Sequence, residues 1–363
     1  MSRAVITAAE AVCALGENLE SCLESWRLGR AGLTLQDGLL AGRIADRAPL
    51  KGRRHAAASN LALHVARRTV ARAGWTPEQT REAWLFAASS RGNAAELLGE
   101  NTWRRPNRRF SASNTLHSEI AAAVSIGLAI RGPWQMLANG CAAGLDALGM
   151  AWMAMRAGMT RRALVVAADL PLLPALLRDF EDTRLLARDE INDPLSPLTN
   201  GFHPGEAAAA LTLELGDGGL IVEDYRANSD AHDSLVVPED GGPLAELLHG
   251  MGRPDFLCLH ATGTPNHAVA EVSALRAAYG EKVPPLLLMK PFTGHTLGAS
   301  GLLDAALLAG AIQADISPGN LPGLHCPGGL ALADALRVPE GGGVLKIASG
   351  MGGHNAAVML RRV

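Results

Sequence analysis

Apolar positions along this chain follow two rhythms. Short, mainly apolar runs at 4–9, 84–88, 134–138, 163–168, 255–260, 285–289 and 344–348 end in loops rich in glycine, serine or asparagine. Runs of this length bounded by turn residues predict buried strands. Between them lie longer stretches with apolar residues at helical spacing. These predict helices over 19–28, 56–73 and 115–130, the last stopped by Arg131-Gly132-Pro133, and another from Cys141 to about Gly158. A further loop and helix are predicted in "KPFTGHTLGASGLLDAALLAGAI", residues 290–312. The order strand–loop, strand–turn–helix, strand–glycine turn occurs twice. It is a repeat of elements and not of residues, and it favours α/β layers around largely buried sheets. The Gly- and Pro-rich stretch 216–254 reads as the join, with one strand-like piece ("LIVEDY") and no evident chemistry. Two units are expected, 1–215 and 216–363.

Composition narrows the class. The 363 residues are 48% hydrophobic and 19% charged, as in a folded globular protein with an ample core. A net charge of -3 argues against a dedicated nucleic-acid binder. The five cysteines, Cys13, Cys22, Cys141, Cys258 and Cys326, include no CxxC pair, which fits a reducing, cytoplasmic setting. Glu10 and Glu17 stand where an apolar leader would continue, and Gly, Arg or Asp interrupts every long apolar run. Neither a signal peptide nor a membrane span is expected.

Four places could do chemistry. Cys141 follows Asn139-Gly140 at a predicted strand-to-helix turn. A thiol there is either a small packed residue or a nucleophile whose thiolate is favoured by the start of the helix. His260 opens "HATGT", where Thr262 and Thr264 would line a cavity with hydroxyls, or it is an ordinary hydrogen-bonded histidine. His295 lies in "KPFTGHTLGASG", near Lys290; a buried lysine needs a partner, and Asp304 is the expected one. The turn "SGMGGHN" (349–355) could aim backbone N–H groups into a site, or merely join two strands.

Taken together and in order, "GCAAG", "NGFHPGE", "HATGTP", "KPFTGHTLGASG" and "SGMGGHN" resemble the β-ketoacyl-acyl-carrier-protein synthases of the elongating, Cys-His-His type. The resemblance spans nearly the whole chain. It implies a thiolase-like fold, two similar halves each with a mixed sheet covered by helices, layered α/β/α/β/α. It also implies that Cys141 takes an acyl group from a carrier protein, while His260 and His295 assist decarboxylation of a malonyl thioester and stabilise the enolate. The product would be a 3-oxoacyl-carrier protein of fatty-acid or polyketide synthesis. The backbone N–H groups of Cys141 and Met351 would form the oxyanion hole. Thr262 and Thr264 match positions that hold the pantetheine arm, Lys290 matches the lysine beside the second histidine, and Met351 borders the acyl pocket. No metal or redox cofactor is implied; substrates arrive on the phosphopantetheine of an acyl carrier protein. The histidine at position 295 separates this chain from initiating synthases, which have Asn there, and the absence of a cysteine from the last glycine turn separates it from thiolases.

Departures from the family pattern are Ala261 for Gly, Ala268 for an acidic residue, Asp304 for Glu and Met351 for Phe. They fit an unusual substrate. They also fit the alternative reading, a chain-length-factor-like partner subunit without catalysis, though such partners typically lose the cysteine that this chain keeps. A homodimer or a heterodimer with a second ketosynthase-like subunit is expected, since chain-length-factor-like partners form heterodimers on this fold. Two basic clusters, Lys51, Arg53 and Arg54, and Arg104, Arg105, Arg108 and Arg109, are either solvated surface or the docking site of the acidic carrier protein.

Overall fold

A computed structural model describes residues 3–100 and 108–363. Among these residues the strands are β1 (Arg3–Cys13), β2 (Leu33–Gln36), β3 (Leu39–Gly42), β4 (Trp84–Ala88), β5 (Trp134–Leu137), β6 (Arg162–Asp169), β7 (Ala207–Gly216), β8 (Leu220–Ser229), β9 (Phe256–Cys258), β10 (Leu286–Leu287), β11 (Gly343–Gly350) and β12 (His354–Arg362). β2 and β3 form a separate hairpin. The other ten share one sheet in the order β10-β9-β11-β12-β8-β1-β7-β6-β4-β5. Read outward from the centre, β1-β7-β6-β4-β5 and β8-β12-β11-β9-β10 are the same topology. In each, the second strand from the centre pairs antiparallel with both its neighbours, and the fourth runs parallel to both of its own. The repeated element order in the sequence is therefore a repeated topology. The two sets meet only where Ala4 and Val5 of β1 pair with Val222 and Ile221 of β8.

Helices Ala57–Arg72 and Glu119–Leu128 pack outside the first set, and Gly242–His249 and Pro265–Tyr279 outside the second. Between the sets lie helices Ala143–Arg156 and Ser300–Gln313. The latter is buried from Ser300 through Ile312, so it carries no polar face to solvent. These two central helices approach closely because of glycine. A Cβ on Gly144 would lie 2.6 Å from the Gly298 carbonyl oxygen, and one on Gly301 would lie 2.7 Å from the Leu145 Cβ.

Some elements differ from their sequence expectation for identifiable reasons. β7 and β12 carry little alternation because both of their faces are covered, and Ala207–Ala210 in β7 are wholly buried. Alanine, a helix former, is used there because two neighbouring strands and central helices crowd it. The expected helix 115–130 is shorter, Glu119–Leu128. It ends at Ala129 with φ 56°, ahead of the Gly-Pro pair. After Thr264 the chain enters helix Pro265–Tyr279, with Pro265 in the first turn where proline costs no hydrogen bond.

Candidate active site

β5 delivers the chain to a tight turn in which Gly140 has φ 64°, followed by a 3-10 turn, Gly140–Ala142, and the helix from Ala143. Cys141 therefore sits at a helix entrance, as the sequence suggested, and is only 5% exposed. Its Sγ lies 3.1 Å from His295 Nε2.

His295 comes from the other half, just after the helical turn Lys290–Thr293 and Gly294 at φ 71°. The "NGFHPGE" block holds it. His295 N–H donates to the His203 carbonyl at 2.6 Å, and Gly205 N–H donates to the His295 carbonyl at 2.9 Å. The Phe202 ring packs edge-on against the imidazole at 5.2 Å. A Cβ at Gly205 would stand 2.4 Å from the Thr293 carbonyl oxygen, so only glycine permits this approach. His260 follows β9, and its ring lies 5.4 Å from that of His295 and 5.0 Å from that of His267. Both Glu271 oxygens are spent on this loop, accepting from the His260 and Ala261 N–H groups at 2.8 Å each. Ala261 has φ 42°. That is why glycine suits the position, and alanine there carries local strain. Leu297, behind His295, is held at φ 47°.

A cavity of ≈ 270 Å³ opens over these groups, lined by Cys141, His260, His295, Thr262, Thr264 and Met351 among others. Thr262 and Thr264 hydroxyls lie 3.2 Å apart. The last glycine turn crosses the elbow closely: a Cβ on Gly350 would be 3.3 Å from the Cys141 nitrogen. The Met351 N–H weakly favours the charged form of the Cys141 thiol. The Met351 side chain, 36% exposed, borders the mouth. Asp146, on the helix that follows Cys141, ties the elbow to this turn. It accepts from Asn139 Nδ2, from Tyr225 OH at 2.7 Å, and pairs with His354 Nε2 at 2.8 Å.

Electrostatics correct two expectations. The helix start does not make Cys141 a resting thiolate. Burial pushes the thiol up to about 12, against the weaker opposing pulls of Lys290, Arg91 and the Met351 N–H. Burial and the charge of Lys290 also hold His260 and His295 well below the ordinary histidine range, so both are neutral. The site at rest is thus a thiol facing a neutral imidazole, with a base in place at hydrogen-bonding distance. The second correction concerns Lys290. Asp304 does not pair with it; Lys346 Nζ takes Asp304 Oδ2 at 2.5 Å. Lys290 is 1% exposed, its Nζ has no hydrogen-bond partner among the described residues, and burial lowers it to about 8.

Several site residues escaped sequence reasoning. His267 enters on a helix that was not expected. Leu235, Val236 and Val237, in the stretch read as a mere join, line the cavity, as does Arg184 at its mouth. Lys346 had a visible signal, a lysine inside the apolar run "VLKIA". The basic residues stand apart. Lys51, Arg53, Arg54 and Arg109 are exposed, and the Arg109 guanidinium lies over the Phe110 ring at 5.7 Å. Arg104, Arg105 and the Arg108 side chain lie outside the described residues. Among the described residues, no helix is long and apolar enough to cross a membrane, and no group of three His, Cys, Asp or Glu is placed to hold a metal ion.

Comparison with known proteins bears on this geometry. Residues 42–217 match the family model for the beta-ketoacyl synthase N-terminal domain, and residues 250–323 match that for its C-terminal domain. The chain is 25% identical over 411 residues to a 3-oxoacyl-[acyl-carrier-protein] synthase 1 of Escherichia coli (strain K12), covering 100% of both. It is 28% identical over 296 residues to a putative polyketide beta-ketoacyl synthase 1 of Streptomyces halstedii, covering 72% of this chain and 69% of that one. In structure it resembles the ketosynthase assembly of a type II polyketide synthase solved with its acyl-carrier protein. That likeness has a TM-score of 0.87 at 20% identity and covers 100% of each chain. At that identity it establishes the thiolase-like fold.

Proposed function

Since the chain belongs to the β-ketoacyl synthase family, we propose that it catalyses decarboxylative Claisen condensation between an acyl group on Cys141 and a malonyl-carrier-protein thioester. The observation that carries this reading is the buried trio: Cys141 Sγ 3.1 Å from His295 Nε2, with the His260 ring 5.4 Å from that of His295. A partner subunit that only shaped a pocket would have no use for this geometry, so the trio favours an enzyme over the chain-length-factor-like alternative.

Each group then has a task. His295 Nε2 takes the thiol proton as the sulfur attacks the acyl thioester, and the imidazolium returns that proton to the departing carrier thiol. The N–H groups of Cys141 and Met351 receive the charge that develops on the carbonyl oxygen. Next the malonyl thioester loses CO2, and its electron pair becomes an enolate whose oxygen is stabilised by donors from His260 and His295. The enolate carbon attacks the acyl-Cys141 carbonyl and the cysteine sulfur leaves, giving the 3-oxoacyl-carrier protein. Thr262 and Thr264 would steady the pantetheine arm and Met351 would border the acyl chain. Residues 1–215 thus supply the nucleophile and 216–363 the two histidines. β5, at the sheet edge with Trp134 exposed, offers a strand for pairing with a second ketosynthase-like subunit, identical or not. Lys51, Arg53, Arg54, Arg108 and Arg109 would meet the acidic carrier protein, and a cytoplasmic setting suits such substrates.

The test is incubation with an acyl-carrier protein, peptide mass mapping, and measurement of CO2 released on adding malonyl-carrier protein. The expected outcome is an acyl adduct on Cys141 and CO2 release, both weakened by salt and by charge reversal at Arg53 and Arg54. Absence of the adduct, with acylation of a co-purified partner instead, would establish the partner-subunit reading.

A further inference from the structure

Lys346 belongs to neither the trio nor the cavity wall, yet three parts of the site converge on it. It sits in β11, the strand whose end carries Gly350 and leads into Met351. Its Nζ donates to the Leu259 carbonyl, the residue before His260, at 2.8 Å. It pairs with Asp304 at 2.5 Å, on the helix that follows the His295 loop, and both side chains are 1% exposed. Burial alone would push the Lys346 ammonium down, but Asp304 holds it above its ordinary value. The ion pair is therefore intact across the neutral range.

This pairing also decides the surroundings of Lys290. Asp304 is engaged by Lys346. Glu271, the other carboxylate whose charge reaches Lys290, has each oxygen bound to a backbone N–H of the His260 loop. Cys258, the remaining acidic group nearby, is a neutral thiol pushed up to about 12 by burial. Among the described residues no anion is left to pair with the Lys290 ammonium, and its field falls on His260, His267, His295 and Cys141.

Building on the catalytic reading of the trio, we propose that Lys346 is a positioning residue. It ties the backbone at His260, the helix behind His295 and the strand leading to Met351 into one unit. By keeping Asp304 for itself, it leaves the Lys290 charge directed at the sulfur and the imidazoles. When Lys346 is replaced by an apolar side chain, Asp304 turns to Lys290 and cancels that charge.

The pH dependence of Cys141 alkylation by iodoacetamide tests this without requiring any turnover, so its failure is distinct from a failure of the condensing-enzyme reading. Lys346→Met should move the alkylation profile to higher pH, with a three- to tenfold lower rate at pH 8. Lys346→Met combined with Asp304→Asn removes the pair together, leaves no orphaned buried charge and frees Lys290 again. Its alkylation profile should return to within twofold of the parent, while CO2 release stays depressed because the Leu259 carbonyl still lacks its donor. A residue with only a structural role would not be rescued at the thiol by a second core substitution. An unshifted profile in the single variant, or a double variant as shifted as the single, overturns the proposal. If the single variant does not fold, the double decides alone: a parental thiol profile supports the proposal and a shifted one refutes it.

Discussion

Replacement of His295, proposed above as the base, is the sharpest test of how this site works. With the thiol pushed up to about 12, the thiolate share at pH 7.5 is about 3 in 100,000. His295→Ala also opens space beside the sulfur. If that let the thiol relax fully to its ordinary 9.0, the share would rise to about 3%. With His295 acting as proposed, the parent escapes this limit, because the imidazole at 3.1 Å takes the proton as attack occurs. Acylation of Cys141 should therefore fall in the variant by about 30-fold at least and by about 3 × 10⁴-fold at most, or about 2 to 6 kcal/mol. The variant should also gain about tenfold in rate per pH unit, since only preformed thiolate reacts, whereas the parent is flat over the same range. Helix-start stabilisation alone, as the sequence suggested, predicts that acyl transfer survives and only decarboxylation suffers. The assay is time-resolved mass spectrometry of the Cys141 peptide after mixing with an acyl-pantetheine thioester at pH 6.5, 7.5 and 8.5. Thermal melting would verify that the variant is folded. A variant that acylates within threefold of the parent, with the same pH slope, would refute the role of His295 as base.

Two further outcomes follow from the packing around the elbow. Gly144→Ala places a Cβ 2.6 Å from the Gly298 carbonyl. The two halves must then part at Cys141 and His295, and a loss of about 1–3 kcal/mol in denaturant stability should accompany slower acylation. A variant with full stability and full acylation would show that the interlock is dispensable. His354→Gln should change how stability depends on pH. The hydrogen bond to Asp146 raises the imidazole above its ordinary 6.5. Its contribution is therefore whole below about pH 6.5 and is lost as pH rises through the folded value. Parent and variant melting temperatures should differ most near pH 6 and converge toward pH 8.5, and a constant difference across that range would contradict this.

The sequence alone marked the candidate residues Cys141, His260 and His295 and much of the order of strands and helices. Gly140, Gly294 and the glycines of the last turn mark where the backbone must bend sharply, and each stands beside a functional group. Such signals are local, set by conformational demands that a residue makes on its own neighbours. Alternation failed for β7 and β12, because strands covered on both faces have no polar side to reveal them. What the tertiary structure alone decided is long-range. Residues 141 and 295, from different halves, meet because glycines let the central helices close. Lys346 rather than Lys290 takes Asp304, although the sequence pointed only to Lys290 as its partner. Cys141 is a thiol because its desolvation outweighs every favourable charge around it. Desolvation and ion pairing depend on the whole set of neighbours at a point in space, and no spacing along the chain encodes that set directly.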